Sequence, residues 1–320
     1  MEDAILGFPE QLVYSPIIQN SKPTSFRNYV LCGMGGSHLA AGFFKLYDSS
    51  FPLSVHYDYN LPALSDAVSK DSLFIASSYS GNTVETFSFA QEAYNKKLNL
   101  LIIASGGKLI EFARENNVPF ITLPTRTIQP RNAVGFSLVA LAHALSHKTL
   151  ASQLQVLSKR LHPALYKKAG EELANKLLGK VPVIYTSNKN HSIAYSWKIK
   201  FNETAKIPAF FNMFPELNHN ELSGFDIRSE TKNLSNRFHF IFLKDENDGE
   251  HIEKRMDATK TLYEKGRLPV EVILLEGESV LERAFNSLFL ADWTALSLAQ
   301  SYGIDPNTTP LVEKFKTLIV

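Results

Sequence analysis

Two short loops concentrate the groups that could hold an anion. The first reads GMGGS, Gly33 to Ser37, and follows the apolar run NYVLCG, Asn28 to Gly33. Glycines between a strand and a helix let the backbone approach a ligand. The helix N-terminus adds unpaired N–H groups and a favourable dipole. The second loop reads SYSGNTVET, Ser78 to Thr86, and sets the hydroxyls of Ser78, Ser80 and Thr83 around Gly81. Together with Ser37, that density of donors suits a terminal phosphate, which has three oxygens and about −1.5 to −2 charges to satisfy. Two other readings stand beside it. GMGGS resembles the dinucleotide fingerprint G-x-G-x-x-G, with Asp58 placed as a ribose-binding acid, but His38 occupies the third glycine position. A tight turn without a ligand is also possible, and helix capping accounts for one hydroxyl, such as Thr83. Two hydroxyl-rich loops at the carboxyl ends of neighbouring parallel strands make one crevice. They favour a small, phosphorylated, non-nucleotide ligand.

The elements that must carry these loops are legible as alternating β-rich and amphipathic runs. In the first half the strand-like runs are NYVLCG, LSVHYD, DSLFIASS, LNLLIIAS and VPFITLP. SHLAAGFFKLY, TVETFSFAQEAYNKK and KLIEFARENN read as helices between them. NAVGFSLVALAHALSH follows as an apolar helical run, and residues 151–180 form a lysine- and leucine-rich helical bridge. The second half repeats the order. VPVIYTS leads into SIAYSWKIKFNETAK, FHFIFLKD into EHIEKRMDATKTLYEKG, and LPVEVILLEG matches LNLLIIAS. The expected fold is α/β, with two tandem doubly wound parallel-sheet domains of flavodoxin-like kind. Residues 1–150 form the domain with the phosphate-binding loops, and residues 151–320 form the helical bridge and the second domain. Only the first half carries Gly- and Ser-rich loops, so the halves have different jobs.

Composition narrows the partners. Lys plus Arg number 33 against 32 Asp plus Glu, so no general attraction to nucleic acid or anionic membranes is expected. One cysteine, Cys32, cannot form an internal disulfide. The nearest histidine pair, His143 and His147, falls in the apolar helical run without an intervening glutamate, so packing is a better reading than a metal site. The N-terminus lacks the basic start and apolar stretch of a signal peptide, and no run is long enough to span a bilayer. A cytoplasmic protein without metal or other cofactor is expected.

The loop pair GMGGS and SYSGNTxET resembles the sugar isomerase, or SIS, domain. The wider chain resembles the bifunctional phosphoglucose/phosphomannose isomerases, through FPEQL, PRNAVGFSL, FNETAK, PELNHNELSGF and a C-terminal TP…K. The resemblance departs slightly at FNET, where the family more often reads FNEN. It implies two SIS domains, a hexose 6-phosphate substrate, and a homodimer with shared active sites. It also implies interconversion of fructose 6-phosphate with glucose 6-phosphate and mannose 6-phosphate through a cis-enediol. That chemistry needs a carboxylate base, an acid/base for the ring oxygen and a positive group near the oxyanion.

By spacing alone Glu203 is as readily a surface charge; by resemblance it is the base that shuttles a proton between carbons 1 and 2. His219 lies in a polar loop bounded by Pro215 and Gly224, and the similar family histidine opens the ring. Arg131 could merely pair with an acid, whereas by resemblance it stabilises the enediolate. Lys316, rather than Lys314, is expected to assist His219. Thr309 resembles the residue that leaves room beside carbons 1 and 2, so that the bond rotates and both epimers are accepted. Gly35, Gly36, Ser37, Ser78, Ser80 and Thr83 would bind substrate. A non-catalytic sugar-phosphate-binding SIS regulator is the alternative, but it would have no need of Glu203, His219, Arg131 and Lys316. His38 and the crowded hydroxyls disfavour a nicotinamide enzyme.

Overall fold

The computed structural model describes residues 1–20, 26–125 and 128–318. The chain divides into two units, Leu6–Leu161 and Met1–Ile5 with His162–Val320. The division thus falls after residue 161 rather than at 150, because the helix Lys148–Leu157 packs on the helix Val134–Ala144 of the first unit.

The first unit is built on a six-stranded sheet: β1 (Ile18–Gln19), β2 (Asn28–Cys32), β3 (Leu53–His56), β4 (Ser72–Ser78), β5 (Asn99–Ala104) and β6 (Phe120–Thr122). Its spatial order is β1-β6-β5-β4-β2-β3, all parallel except β1, a two-residue edge strand that the sequence pattern does not announce. The five parallel strands follow the flavodoxin order, whose direction of winding reverses between β2 and β4. All seven residues of β4 are buried, as expected for a central strand covered on both faces. On one face Val30, Phe74 and Ile102 pack with Phe89 and Ala93 of α2 (Val84–Asn95) and Leu109 and Ala113 of α3 (Gly107–Glu115). Alternate strand residues Leu31, Ile75 and Leu101 are also buried. Helices α1 (Leu39–Tyr47) and α4 (Val134–Ala144) pack on each other, and α5 is the Lys148–Leu157 helix.

His143 and His147 do not share a helix. The apolar run ends at Ala144, Ser146 turns left-handed (φ 55°), and His147 Nδ1 accepts the Leu150 N–H at 3.2 Å to cap α5. A left-handed residue breaks the 3.6-residue period that the apolar composition had suggested to continue.

The second unit has four parallel strands, β7 (Val181–Ser187), β8 (Phe210–Phe214), β9 (Phe238–Lys244) and β10 (Val270–Leu274), in the order β10-β9-β7-β8. This is the order of β5-β4-β2-β3, so the repeated sequence pattern corresponds to a repeated topology. Strand β8 was not read from the sequence; it is the counterpart of LSVHYD. Its longer helices are α6 (Lys167–Leu177), α7 (His191–Lys200), α8 (Glu250–Lys265), α9 (Val280–Ser301) and α10 (Pro310–Leu318). Helices α6 and α9 approach closely at Gly170, where a Cβ would lie 2.5 Å from the Trp293 Cβ. Among the described residues no helix is long and apolar enough to cross a membrane.

Candidate active site

At the switch point of the first sheet, the loops after β2 and β4 are laced together. Gly35 (φ 53°) opens a 3-10 turn, Gly35–His38. Ser37 Oγ accepts the Tyr79 N–H at 3.0 Å, and Ser77 Oγ donates to the Ser37 carbonyl at 3.1 Å. With its acceptor side engaged, the Ser37 hydroxyl proton is left to donate. Ser78 Oγ accepts the Gly81 N–H at 3.1 Å and lies 2.8 Å from Thr83 Oγ1. Thr83 occupies the N-cap of α2 but makes no side-chain cap bond, so capping does not account for its hydroxyl. Exposed Ser80 accepts the Asn82 N–H at 3.3 Å.

Close backbone approaches fix this geometry. A Cβ on Gly36 would lie 2.7 Å from the Arg131 backbone nitrogen and 2.8 Å from the Pro130 carbonyl carbon, so GMGGS rests directly on PRN. Arg131 is buried there, in the turn Pro130–Asn132. A Cβ on Gly81 (φ 72°) would meet the Gly106 carbonyl oxygen at 1.8 Å. The Gly106–Gly107 loop after β5 is thus a third wall, which the sequence reading passed over. Its signal, a strand followed by two glycines and a helix, is the one used for GMGGS. Gln11, from FPEQL, was not read as a residue that supports the site. Its Nε2 donates to the Asn132 carbonyl at 2.7 Å and its Oε1 accepts the Gly135 N–H at 3.0 Å, clamping the start of α4 beside Arg131.

The dinucleotide reading gains nothing here. His38 is buried, with its ring edge-on to Tyr57 at 4.8 Å, and Asp58 Oδ1 accepts its neighbour's Tyr59 N–H at 2.7 Å. Burial pushes the Cys32 thiol, at the end of β2, up to about 12, which leaves it protonated and unreactive near neutrality.

In the second unit, α7 runs on into a π-helix, Phe201–Ala205, which carries half-buried Glu203. Lys206 (φ 55°) ends that turn, and its Nζ donates to the Glu203 carbonyl at 2.8 Å and to the Asp305 carbonyl at 2.9 Å. Three residues before Glu203, buried Lys200 pairs with Asp292 of α9 at 2.7 Å, and Trp197 Nε1 donates to Ser287 Oγ at 2.9 Å. The wide turn is therefore anchored from behind, and such single π turns recur at functional sites. His219 is exposed, after the 3-10 turn Glu216–Asn218 and before the short helix Glu221–Gly224. Thr309 is half-buried, and its carbonyl accepts the Glu313 N–H at 3.0 Å. Lys316 is exposed on α10 and pairs with Glu313 at 2.7 Å; Lys314 is exposed as well.

Comparison with known proteins places the whole chain among described relatives. Residues 166–319 match the family model of the bacterial phospho-glucose isomerase C-terminal SIS domain. The chain is 35% identical over 317 residues to the bifunctional phosphoglucose/phosphomannose isomerase of Aquifex aeolicus, covering 97% of this chain and 95% of that one. It is 33% identical over 338 residues to the protein of the same name from Caldicellulosiruptor bescii, covering 99% and 98%. Among solved structures, a hypothetical protein from Thermus thermophilus superposes with a TM-score of 0.73 at 17% identity, covering 99% of this chain and 89% of that one.

Proposed function

The chain belongs to the bifunctional phosphoglucose/phosphomannose isomerase family, and from that premise we propose that it interconverts fructose 6-phosphate with glucose 6-phosphate and mannose 6-phosphate. The observation that carries the substrate class is the laced pair of loops at the first switch point. Ser37, Ser78, Ser80 and Thr83, with the glycine backbone at Gly35 and Gly36, offer neutral donors to a phosphate monoester. Such donors gain most from a charged guest, since hydrogen bonds to an ionised acceptor are about twice as strong as neutral ones.

The proton-transfer groups take the following roles. His219, assisted by Lys316, moves the proton that opens the sugar ring. Glu203 removes the proton from carbon 1 of the ketose and returns it at carbon 2, or the reverse, with a cis-enediol between. Arg131 stabilises the negative charge that develops on the enediolate oxygen. Space beside Thr309 lets both epimers form. No step requires a cofactor. In this reading the protein is a cytoplasmic homodimer whose subunits share active sites.

The test is an assay from fructose 6-phosphate in EDTA, with the two aldose products quantified separately and Glu203→Gln run in parallel. We expect both products from the wild type and a loss of roughly a thousandfold in the variant. Glucose 6-phosphate alone would remove the role of Thr309. Ligand-induced thermal stabilisation without turnover would replace the enzyme by a sugar-phosphate-binding regulator. Mixing inactive Glu203→Gln and His219→Ala subunits tests the shared sites, because exchange should restore measurable activity.

A further inference from the structure

We propose that Glu221 is a positioning residue that holds the His219 loop in its working geometry. The inference rests on the role of His219 given above.

His219 is exposed on a segment with little core of its own: from Glu216 to Gly224 only Leu217 is buried. A side chain that must move a proton at a defined atom needs firmer support than that. The support lies in the two polar residues that flank it. Before His219, Asn218 Nδ2 donates to Thr259 Oγ1 of α8 at 2.8 Å, and Arg255 of the same helix reaches Asn218 Oδ1 at 3.4 Å. After it, Glu221 spends both carboxylate oxygens on two different strands. Oε1 accepts the hydroxyl of Tyr185 on β7, and Oε2 accepts the side-chain amide of Asn212 on β8 at 2.5 Å.

The network continues inward. An ionised carboxylate only accepts, so Tyr185 must donate to Glu221. The Tyr263 hydroxyl of α8, 3.3 Å from that of Tyr185, must then donate to Tyr185. The direction of every proton is set, and the chain Tyr263 to Tyr185 to Glu221 ends two residues from His219. Tyr185 and Tyr263 are both buried, so this clamp is rooted in the core of the second unit.

The choice of a carboxylate here is informative. Among the described residues no cation pairs with Glu221, so its charge is balanced by two neutral donors alone. What the carboxylate provides is two-point orientation across a sheet. A misplacement of about 1 Å at a catalytic group costs on the order of a hundredfold in rate.

The experiment is a double-mutant cycle on the full chain. Initial rates from fructose 6-phosphate are measured for wild type, Glu221→Gln, His219→Ala and the double variant, with Tyr185→Phe as a second probe of the same clamp. Thermal melting establishes that each variant is folded. Glu221→Gln is expected to lower kcat by about ten- to a hundredfold with KM nearly unchanged. Tyr185→Phe should change kcat in the same direction by less. In the His219→Ala background, Glu221→Gln should cost no more than about twofold, because a residue that acts only through His219 has nothing left to position. A full additive loss in the double variant overturns the inference and leaves the role of His219 standing. Wild-type kcat in Glu221→Gln and Tyr185→Phe overturns it as well. Wild-type activity in His219→Ala would instead overturn the reading on which the inference rests.

Discussion

The two sheets reverse their winding at corresponding places, between β2 and β4 and between β7 and β9, yet the crevices there are furnished in opposite ways. The first is walled by hydroxyls and glycine backbone, with Arg131 packed beneath Gly36. The second encloses a carboxylate of its own. Asp245, 1% exposed and directly after β9, lies 3.1 Å from Lys189 Nζ and 3.3 Å from Arg283 Nε. It also accepts the Asn247 N–H at 3.0 Å and the Asn190 side-chain amide at 3.4 Å. Burial alone would raise the Asp245 carboxyl, but the Asn247 N–H and Lys189 outweigh it and hold the group below its ordinary value. A topological switch point is thus an opportunity for an anion and not a guarantee. In the proposed reading the first crevice keeps its donors for a guest, while the second sets an internal acid beside its cations.

The largest test of that contrast is Asp245→Ala. It leaves Arg283 and Lys189 without their acid, and a broken buried pair costs about 3–5 kcal/mol, read by urea unfolding, with KM for fructose 6-phosphate unchanged. Millimolar orthophosphate should then raise the melting temperature of the variant more than that of the wild type. An equal response would end the analogy between the two crevices. Gly36→Ala comes next: its Cβ would press on the backbone of Pro130 and Arg131, so kcat/KM should fall about a hundredfold. Ser80→Ala is gentler, because the hydroxyl is exposed and among the described residues bonds only Asn82. We expect KM to rise about tenfold, the worth of one hydrogen bond to a charged group, with no loss of thermal stability.

The smallest effect is the pH dependence of the second crevice. A carboxyl depressed by folding contributes stability above its unfolded value, near 3.8, and loses it as pH falls through the lower folded value. Unfolding free energies at pH 6 and pH 3 should therefore diverge more in the wild type than in Asp245→Asn. An equal loss in both would mean that the Asp245 carboxyl is not depressed.

Much of this was legible in the residues. Strands announced by β-rich runs between amphipathic segments, such as NYVLCG and FHFIFLKD, stand where their patterns place them. The hydroxyls of SYSGNT and the glycines of GMGGS are local signals, and the structure brings their two loops together at one switch point. The misses were of another kind. Phe210–Phe214, wedged between the FNETAK turn and the PELNHNE loop, is no shorter than Asn28–Cys32, but it is a partly exposed edge strand without the buried apolar run of a central one. Nothing local marks Gln11 as a clamp, since the N–H groups it caps lie more than 120 residues away. Asp245 read as the last residue of a strand, and nothing nearby in sequence revealed Arg283.

The sequence by itself determined which segments become strands and helices, and which loops carry donors, because backbone preference, side-chain period and hydrogen-bonding capacity are properties of a few consecutive residues. Only the tertiary structure decided that GMGGS rests on PRN and that Tyr185, Asn212 and Tyr263 gather around Glu221. It alone decided that one switch point encloses its own acid while the other presents hydroxyls. Those outcomes follow from strand order and close packing, which bring together residues that share no local signal and let burial set the strength of every charge they meet.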